Sequence, residues 1–198
     1  MSLSFSEQFE RPEGWLGQLA GKIMSLENRT INKWTLDLLH IQPEDRVLEV
    51  GFGPGFAIEL AGEQFPEIQL DGVDVSDTMK NTAASRNKKL IDEGRLHLFV
   101  DDIALYKAEK LYDKVFSVNN YPLWAERQKG LAVLYSLMKP GGQLAITVQP
   151  REEDADEEKT KQLARTISYD LEKAGFSGTA IYYKDVRPVL TVCVTAVK

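Results

Sequence analysis

The pattern of apolar and polar positions changes character twice along this chain. Residues 1–14 are polar, carry Pro12 and Gly14, and read as an arm. Trp15, Leu19, Ile23 and Leu26 then recur at helical spacing and mark one helix face. A second helical stretch places Ile31, Trp34, Leu38 and Leu39 on one side, with Asn28 or Thr30 as its cap and Pro43 closing the region. From there short apolar runs alternate with longer amphipathic ones. The runs Arg46–Val50, Gln69–Asp74, Leu96–Val100, Lys114–Val118 and Gln143–Val148 are short and mostly apolar, as strands covered on both faces are. Ala57–Gln64, Asp77–Glu93, Glu126–Leu137 and Glu152–Ala174 read as helices between and after them.

Strand and helix in alternation predict a parallel sheet with right-handed crossovers, an α/β doubly wound fold. The C-terminal end breaks the alternation. Thr179–Lys184 and Val189–Val197 are strand-like runs separated by a stretch too short for a helix, so they are expected to pair antiparallel. We divide the chain into an N-terminal arm and helical cap, residues 1–44, and an α/β domain, residues 45–198. The acidic run Arg151–Lys159 falls at the start of a predicted helix, where exposed amides favour acids. A solvated first turn or two is the expectation, ahead of a mobile lid.

Composition narrows the field. With 24 Lys and Arg against 30 Asp and Glu the net charge is −6, which argues against the basic face a large nucleic-acid footprint needs. The single cysteine, Cys193, lies in the apolar run VLTVCVTAV and reads as a buried structural thiol. No apolar stretch approaches the ~20 residues of a membrane span, and the N-terminus lacks a secretory pattern, so the expected compartment is the cytoplasm. No metal ligand set is read.

The chemistry lies in VLEVGFGPGFA, Val47–Ala57. The dinucleotide fingerprint would put a third glycine where Phe56 stands, and Pro54 removes a backbone donor from the loop. A diphosphate wants several such donors and a close helix N-terminus. The loop, with Glu49, Gly51, Gly53 and Gly55, instead suits a nucleoside without phosphate. Glu49 would repel a phosphate and attract an ammonium or sulfonium. Asp74 ends the next strand, about 20 residues past the glycines, where an acid hydrogen-bonds ribose hydroxyls. In FVDDI, Asp102 is placed to accept from an exocyclic amine of adenine and Ile103 to contact its ring.

VLEVGFGPG, GVDVS, FVDDI, YDKVFSVNNYPLW and LMKPGGQLAITV, in this order, resemble the class I S-adenosylmethionine-dependent methyltransferases over most of the chain from Asp45. The resemblance is closest to small bacterial members with a helical N-terminal cap. It implies a seven-stranded sheet of order 3-2-1-4-5-7-6, its last strand antiparallel. It implies S-adenosylmethionine as cofactor and S-adenosylhomocysteine as product. Gly51, Gly53 and Gly55 would admit the methionine part, and Glu49 would sit near its ammonium. Asp74, with Val75 beside it, would take the ribose, while Asp102 and Ile103 would frame the adenine. Asn119, at the end of the fourth strand, would face the methyl group or the acceptor.

Methyl transfer from a sulfonium draws much of its rate from alignment and needs a base only if the nucleophile must lose a proton. Neither His40 nor His97 reads as a base. Asn119 and Tyr121 are the candidate catalytic residues, Tyr121 as a wall of the acceptor site. For Trp124 a wall and packing under the following helix are equal alternatives. The sequence Asn119-Asn120-Tyr121-Pro122 departs from the double-proline motif of enzymes that methylate nucleic-acid bases, which lowers that class of target. Arg29, with Asn28 and Asn32, would meet a carboxylate or cap a helix in solvent. The expected activity is methyl transfer to a small-molecule acceptor. The alternative is a non-catalytic S-adenosylmethionine-binding or regulatory protein.

Overall fold

The computed structural model describes residues 29–152 and 154–198. Its first element is a helix whose described residues are 29–38 (α1). There follow β1 (Arg46–Val50), α2 (Phe56–Gln64), β2 (Gln69–Asp74), α3 (Asp77–Arg86), α4 (Lys88–Asp92), β3 (Leu96–Val100) and β4 (Tyr112–Val118). A 3-10 turn at Tyr121–Leu123 leads into α5 (Arg127–Leu137), β5 (Met138–Val148), α6 (Glu157–Lys173), β6 (Ser177–Lys184) and β7 (Thr191–Val197). The helix expected over Trp15–Leu26 and the cap at Asn28 lie outside the described residues.

The strands form one seven-stranded sheet in the order β3-β2-β1-β4-β5-β7-β6. Pairing is parallel from β3 through β5, and β7 inserts antiparallel between β5 and β6. Side chains alternate across the sheet, so each face has its own core. Leu48, Val50, Val115 and Ile146 meet α5 and α6 through Leu131, Leu134, Ile167 and Leu171. Val47, Leu70 and Phe116 meet α1 and α2 through Leu36, Leu39, Ile58 and Ala61. Glu49 follows Val47 on the α1–α2 face, and Asp74 follows Leu70 on that same face. The two carboxylates the sequence singles out therefore share one side of the sheet.

Several boundaries moved, each for a local reason. The helix predicted over Asp77–Glu93 is two helices joined at Asn87, whose side-chain NH2 donates to Ala83 O (3.0 Å) and Gly55 O (3.1 Å). That amide competes for the helix's own carbonyl and ties the bend to the glycine loop. The helix predicted from Glu152 begins at Glu157, because Asp156 caps it by accepting from the Lys159 N–H at 2.8 Å. Most of the acidic run therefore precedes the helix rather than forming its solvated first turns. On that helix Thr160, Ala164, Ile167 and Leu171 are buried, while Leu163 is only half-buried. β5 begins at Met138 rather than Gln143, with Met138 paired to Tyr112 before a register shift. β7 begins at Thr191 rather than Val189, whose carbonyl accepts from Gln149 Nε2 at 2.9 Å.

The face of α1 is rotated from the expected one. Ile31 and Leu39 are buried as expected, but Asn32, Thr35 and Leu36 are buried with them, and Trp34 and Leu38 are half-buried. Thr35 makes this possible. Its hydroxyl bonds Ile31 O at 3.0 Å and lies 2.6 Å from the Thr147 hydroxyl of β5. A polar residue at the centre of the buried stripe hides that stripe from an apolar count.

Candidate active site

The sheet order reverses between β1 and β4, and the loops after their C-terminal ends part there into a cleft. Open α/β sheets bind ligands at such a point. The cleft has a volume of about 370 Å3 and its lining includes Glu49, Gly53, Asp74, Asn119, Asn120 and Arg151. From α1, Asn32 reaches it as well. A second hollow of about 200 Å3 adjoins it between α1 and α2, lined by Arg29, Asn32, Phe56 and Arg86 among others.

The glycine loop shapes one wall. Gly51 has φ 75° and donates to Val73 O at 2.7 Å, which ties the loop to the end of β2. A Cβ on Gly51 would lie 1.9 Å from Asn120 Cγ, so only glycine lets the β4 loop lie against β1. Gly53, at φ 48°, has the opposite surroundings: a Cβ there would meet nothing within 4 Å. The space in front of it opens to the cleft. From behind, Arg86 Nε donates to Pro54 O (3.0 Å), and its guanidinium lies 3.7 Å from the centre of the Phe56 ring. Phe56, where a dinucleotide loop would have glycine, is thereby held on the surface beside the cleft.

Asp74 closes the loop. Its Oδ2 accepts from the Gly53 N–H at 2.9 Å and its Oδ1 from the Ser76 N–H at 3.0 Å. An ionised carboxylate has about four acceptor positions, so a diol can still bond to it. Glu49 is more unusual. It is buried, one oxygen side is met by the Ile58 N–H in the first turn of α2, and its Oε2 has no hydrogen-bond partner. Burial, and then the nearby negative charge of Asp74, push its carboxyl well above the ordinary carboxylate range. A buried acceptor without a donor, facing a cleft, is chemically incomplete until a cation or donor fills the space.

Asn119 sits at φ 53°, a conformation asparagine tolerates better than most residues. Its N–H donates to Thr147 O and its Oδ1 accepts from the Gln149 N–H, both at 2.8 Å. Gln149 is itself locked by donating to Val186 O at 2.7 Å. Asn119 therefore has only its NH2 end left for a ligand. Val75 is fully on the surface beside Asp74, with 71% exposure. Arg29 is exposed at the rim of the second hollow.

Three expectations need correction. Tyr121 is not a wall of the acceptor site: it is 1% exposed, and its hydroxyl donates to Asp170 Oδ2 at 2.7 Å on the far side of the sheet. Burial and that carboxylate raise its pKa and keep it a neutral donor. The 3-10 turn rolls the ring under α5, where it meets Trp124 at 5.0 Å between centroids. Trp124 is also buried, so its packing alternative is the one realised, with Nε1 donating to Asn120 Oδ1 at 2.7 Å. Ile103 is 5% exposed and packs against Gly130 of α5, so it backs the wall instead of offering a face to a ring. Asp102 does not line the cleft either; its Oδ1 accepts from the Ala104 N–H at 2.8 Å.

Other readings held. Cys193 is buried and its thiol is pushed up to about 12 by desolvation. His40 is exposed in the turn after α1. His97 lies on edge strand β3, its Nδ1 3.4 Å from Asp71 Oδ1. Sequence reasoning missed Asn120 and Arg151. The signal for Asn120 was its place two residues past the end of β4, and Arg151 was absorbed into the acidic run that follows it.

Residues 47–142 match the family described as a methyltransferase domain. YdaC of Bacillus subtilis, an uncharacterised methyltransferase, is 43% identical over 184 residues, 91% of this chain and 98% of YdaC. Malonyl-acyl carrier protein O-methyltransferase 2 of Ilyobacter polytropus is 30% identical over 171 residues, 83% of this chain but 62% of that protein. Among solved structures, the N-methyltransferase NodS of Bradyrhizobium japonicum, in complex with S-adenosyl-L-homocysteine, matches with a TM-score of 0.68 over 87% of each chain. At 15% identity that likeness attests the fold alone. Fold, glycine loop and relatives agree, and the chain belongs to the class I S-adenosylmethionine-dependent methyltransferases.

Proposed function

We propose that the cleft between the ends of β1, β2 and β4 holds S-adenosylmethionine and that the chain transfers its methyl group to a small-molecule acceptor. The observation that carries this is the unpartnered, buried Oε2 of Glu49 beside the open space at Gly53. Glu49 there would pair with the amino-acid ammonium, while Gly53 leaves room for the methionine chain. Asp74 would accept from the ribose hydroxyls with the acceptor positions its two backbone bonds leave over. Val75, exposed beside Asp74, would flank the adenine. Asn119 would offer its NH2 group near the reacting centre. The cofactor supplies an electrophilic methyl on a cationic sulfur. The chain's contribution is alignment: the rigid loop, pinned by Gly51, Asp74 and Arg86, fixes one partner, and the β4 and β5 loops fix the other.

Residues 29–44 belong to a cap over this site in our reading, supported by Asn32, which lines both the cleft and the adjoining hollow. Among the relatives are enzymes named for malonyl-acyl carrier protein and trans-aconitate, which support a small or carrier-borne acceptor. Among the described residues no helix is long and apolar enough to cross a membrane. The test is calorimetric titration with S-adenosylmethionine, S-adenosylhomocysteine and NADPH. Micromolar binding of the first two and none of NADPH is expected. Absence of adenosyl binding would sink the reading.

A further inference from the structure

The glycine loop opens to the cleft in front and is held from behind. Gly51, Gly53 and Gly55 take φ of 75°, 48° and 79°, and a segment with three such residues is soft unless its neighbours fix it. Two adjacent side chains at the α3–α4 bend do so, and neither lines the cleft itself. Arg86 Nε donates to Pro54 O and Nη1 donates to Glu59 Oε2, both at 3.0 Å, while the guanidinium carbon lies 3.7 Å from the centre of the Phe56 ring. Asn87, 3% exposed, donates through Nδ2 to Gly55 O at 3.1 Å and to Ala83 O at 3.0 Å. Its backbone joins both helices, the N–H donating to Ala83 O at 2.9 Å and the carbonyl accepting from the Ile91 N–H at 3.2 Å. Pro54, Gly55 and Phe56 are thus each gripped by one residue of the bend. The approach is close: a Cβ on Gly55 would lie 2.6 Å from Asn87 Nδ2 and 2.8 Å from Ala83 Cβ.

Resting on the reading that the cleft holds S-adenosylmethionine, we propose that Arg86 and Asn87 are positioning residues for the methionine half of the cofactor. They hold residues 54–56 so that the space at Gly53 stays open, and they act through the loop without touching the ligand. In that reading the methionine half lies against the loop, whereas the ribose and adenine lie against Asp74 and Val75 at the end of β2. A loop already in its binding shape loses little freedom when the cofactor arrives. A loop that samples other shapes binds more weakly in proportion to the time it spends out of the competent one. The clamp therefore adds to the affinity for ligands that carry the amino-acid chain and little to that for ligands without it. Arginine suits the place because its planar fork reaches two acceptors and covers a ring at once. A lysine there can reach Pro54 O or Glu59, but has no plane to lay on Phe56.

The test has one arm without ligand and one with it. In the first, backbone amide exchange is followed by NMR in the empty wild-type protein and in Arg86→Ala and Arg86→Lys. The Gly53 and Gly55 N–H groups, bonded to Asp74 Oδ2 and Phe52 O, are expected to exchange about tenfold faster in Arg86→Ala, with the amides inside β1 and β4 unchanged. In the second arm S-adenosylhomocysteine and 5′-methylthioadenosine, which lacks the amino-acid chain, are titrated by calorimetry. S-adenosylhomocysteine is expected to bind about tenfold more weakly to Arg86→Ala, with an intermediate loss in Arg86→Lys, and 5′-methylthioadenosine within about twofold of wild type in both. Arg86 is exposed, so both variants are expected to fold. Asn87→Ala removes a buried amide that makes two hydrogen bonds, and should show the same selective loss together with a lower melting temperature. Unchanged exchange in Arg86→Ala with S-adenosylhomocysteine affinity within about twofold of wild type overturns the proposal. So does an equal loss of both ligands, which a general disturbance of the fold would give. Binding of neither ligand by the wild-type protein strikes the cofactor reading and with it the role in affinity, and the exchange arm alone then judges whether the bend holds the loop.

Discussion

Replacing Glu49 by glutamine should move the stability of the empty protein and its affinity for cofactor in opposite directions. Glu49 is buried, with one side on the Ile58 N–H and Oε2 unpartnered. Its carboxyl is raised above the ordinary range by burial first and by Asp74 second. Between the ordinary value and the raised one, the folded chain holds a proton that the unfolded chain has lost. Stability of the empty protein therefore falls as pH rises through that window, by up to about 1.4 kcal/mol per pH unit. Glu49→Gln keeps an acceptor for Ile58 and removes the titration. The empty variant should show a flatter melting temperature against pH and exceed wild type on the alkaline side. Its cofactor affinity should drop. An ammonium that loses its carboxylate forfeits a charge-assisted bond of about 1.5–3 kcal/mol, or roughly ten- to 150-fold in Kd. Wild-type binding should also release up to about one proton, seen as a dependence of calorimetric heat on the buffer's ionisation enthalpy. Parallel melting curves, together with S-adenosylhomocysteine affinity within about twofold of wild type, would refute both the charge assignment and the placement of the ammonium.

Other changes probe the remaining walls. In Gly53→Val the new Cβ meets no protein atom within 4 Å, and the side chain enters the cleft from a residue at φ 48°. The substitution should cost about 1–2 kcal/mol of strain and abolish adenosyl binding in calorimetry, and intact binding would place the ligand elsewhere. Asp74→Ala cannot be a pure binding mutant, because Asp74 also holds the Gly53 and Ser76 N–H groups. It should weaken S-adenosylhomocysteine and also lower the melting temperature, whereas Asp74→Asn should spare more of the stability than of the affinity. Tyr121→Phe removes the donor to Asp170, which retains Gln128 Nε2 at 2.7 Å. A loss of about 1–2 kcal/mol in urea unfolding with unchanged S-adenosylhomocysteine affinity is expected, and a selective loss of binding would restore Tyr121 to the site.

How far the sequence reaches can be judged from these residues. The alternation of short apolar runs and amphipathic stretches determined a doubly wound sheet, because strands buried on both faces and helices buried on one leave different periods in the chain. The five parallel strands, the loop after β1 and the acid that ends β2 were legible for that reason, and the two strand-like runs at the end of the chain gave the antiparallel pair β6–β7. Glu49 and Asp74 were legible because a glycine loop without phosphate donors needs charge of the other kind beside it. Tertiary structure alone decided which polar groups had partners. Tyr121 stands one residue from the cleft-lining Asn120, yet the 3-10 turn carries its hydroxyl to Asp170, 49 positions away. Thr35 and Thr147, 112 positions apart, rotate α1 by making a polar position the centre of its buried face. Arg151 reads as one more charge in an acidic run, and becomes a cleft residue only because β5 ends beside β4. Local pattern records which face of an element is buried. The partner that a polar side chain finds across the fold depends on contacts between distant segments, and those exist only once the chain has folded.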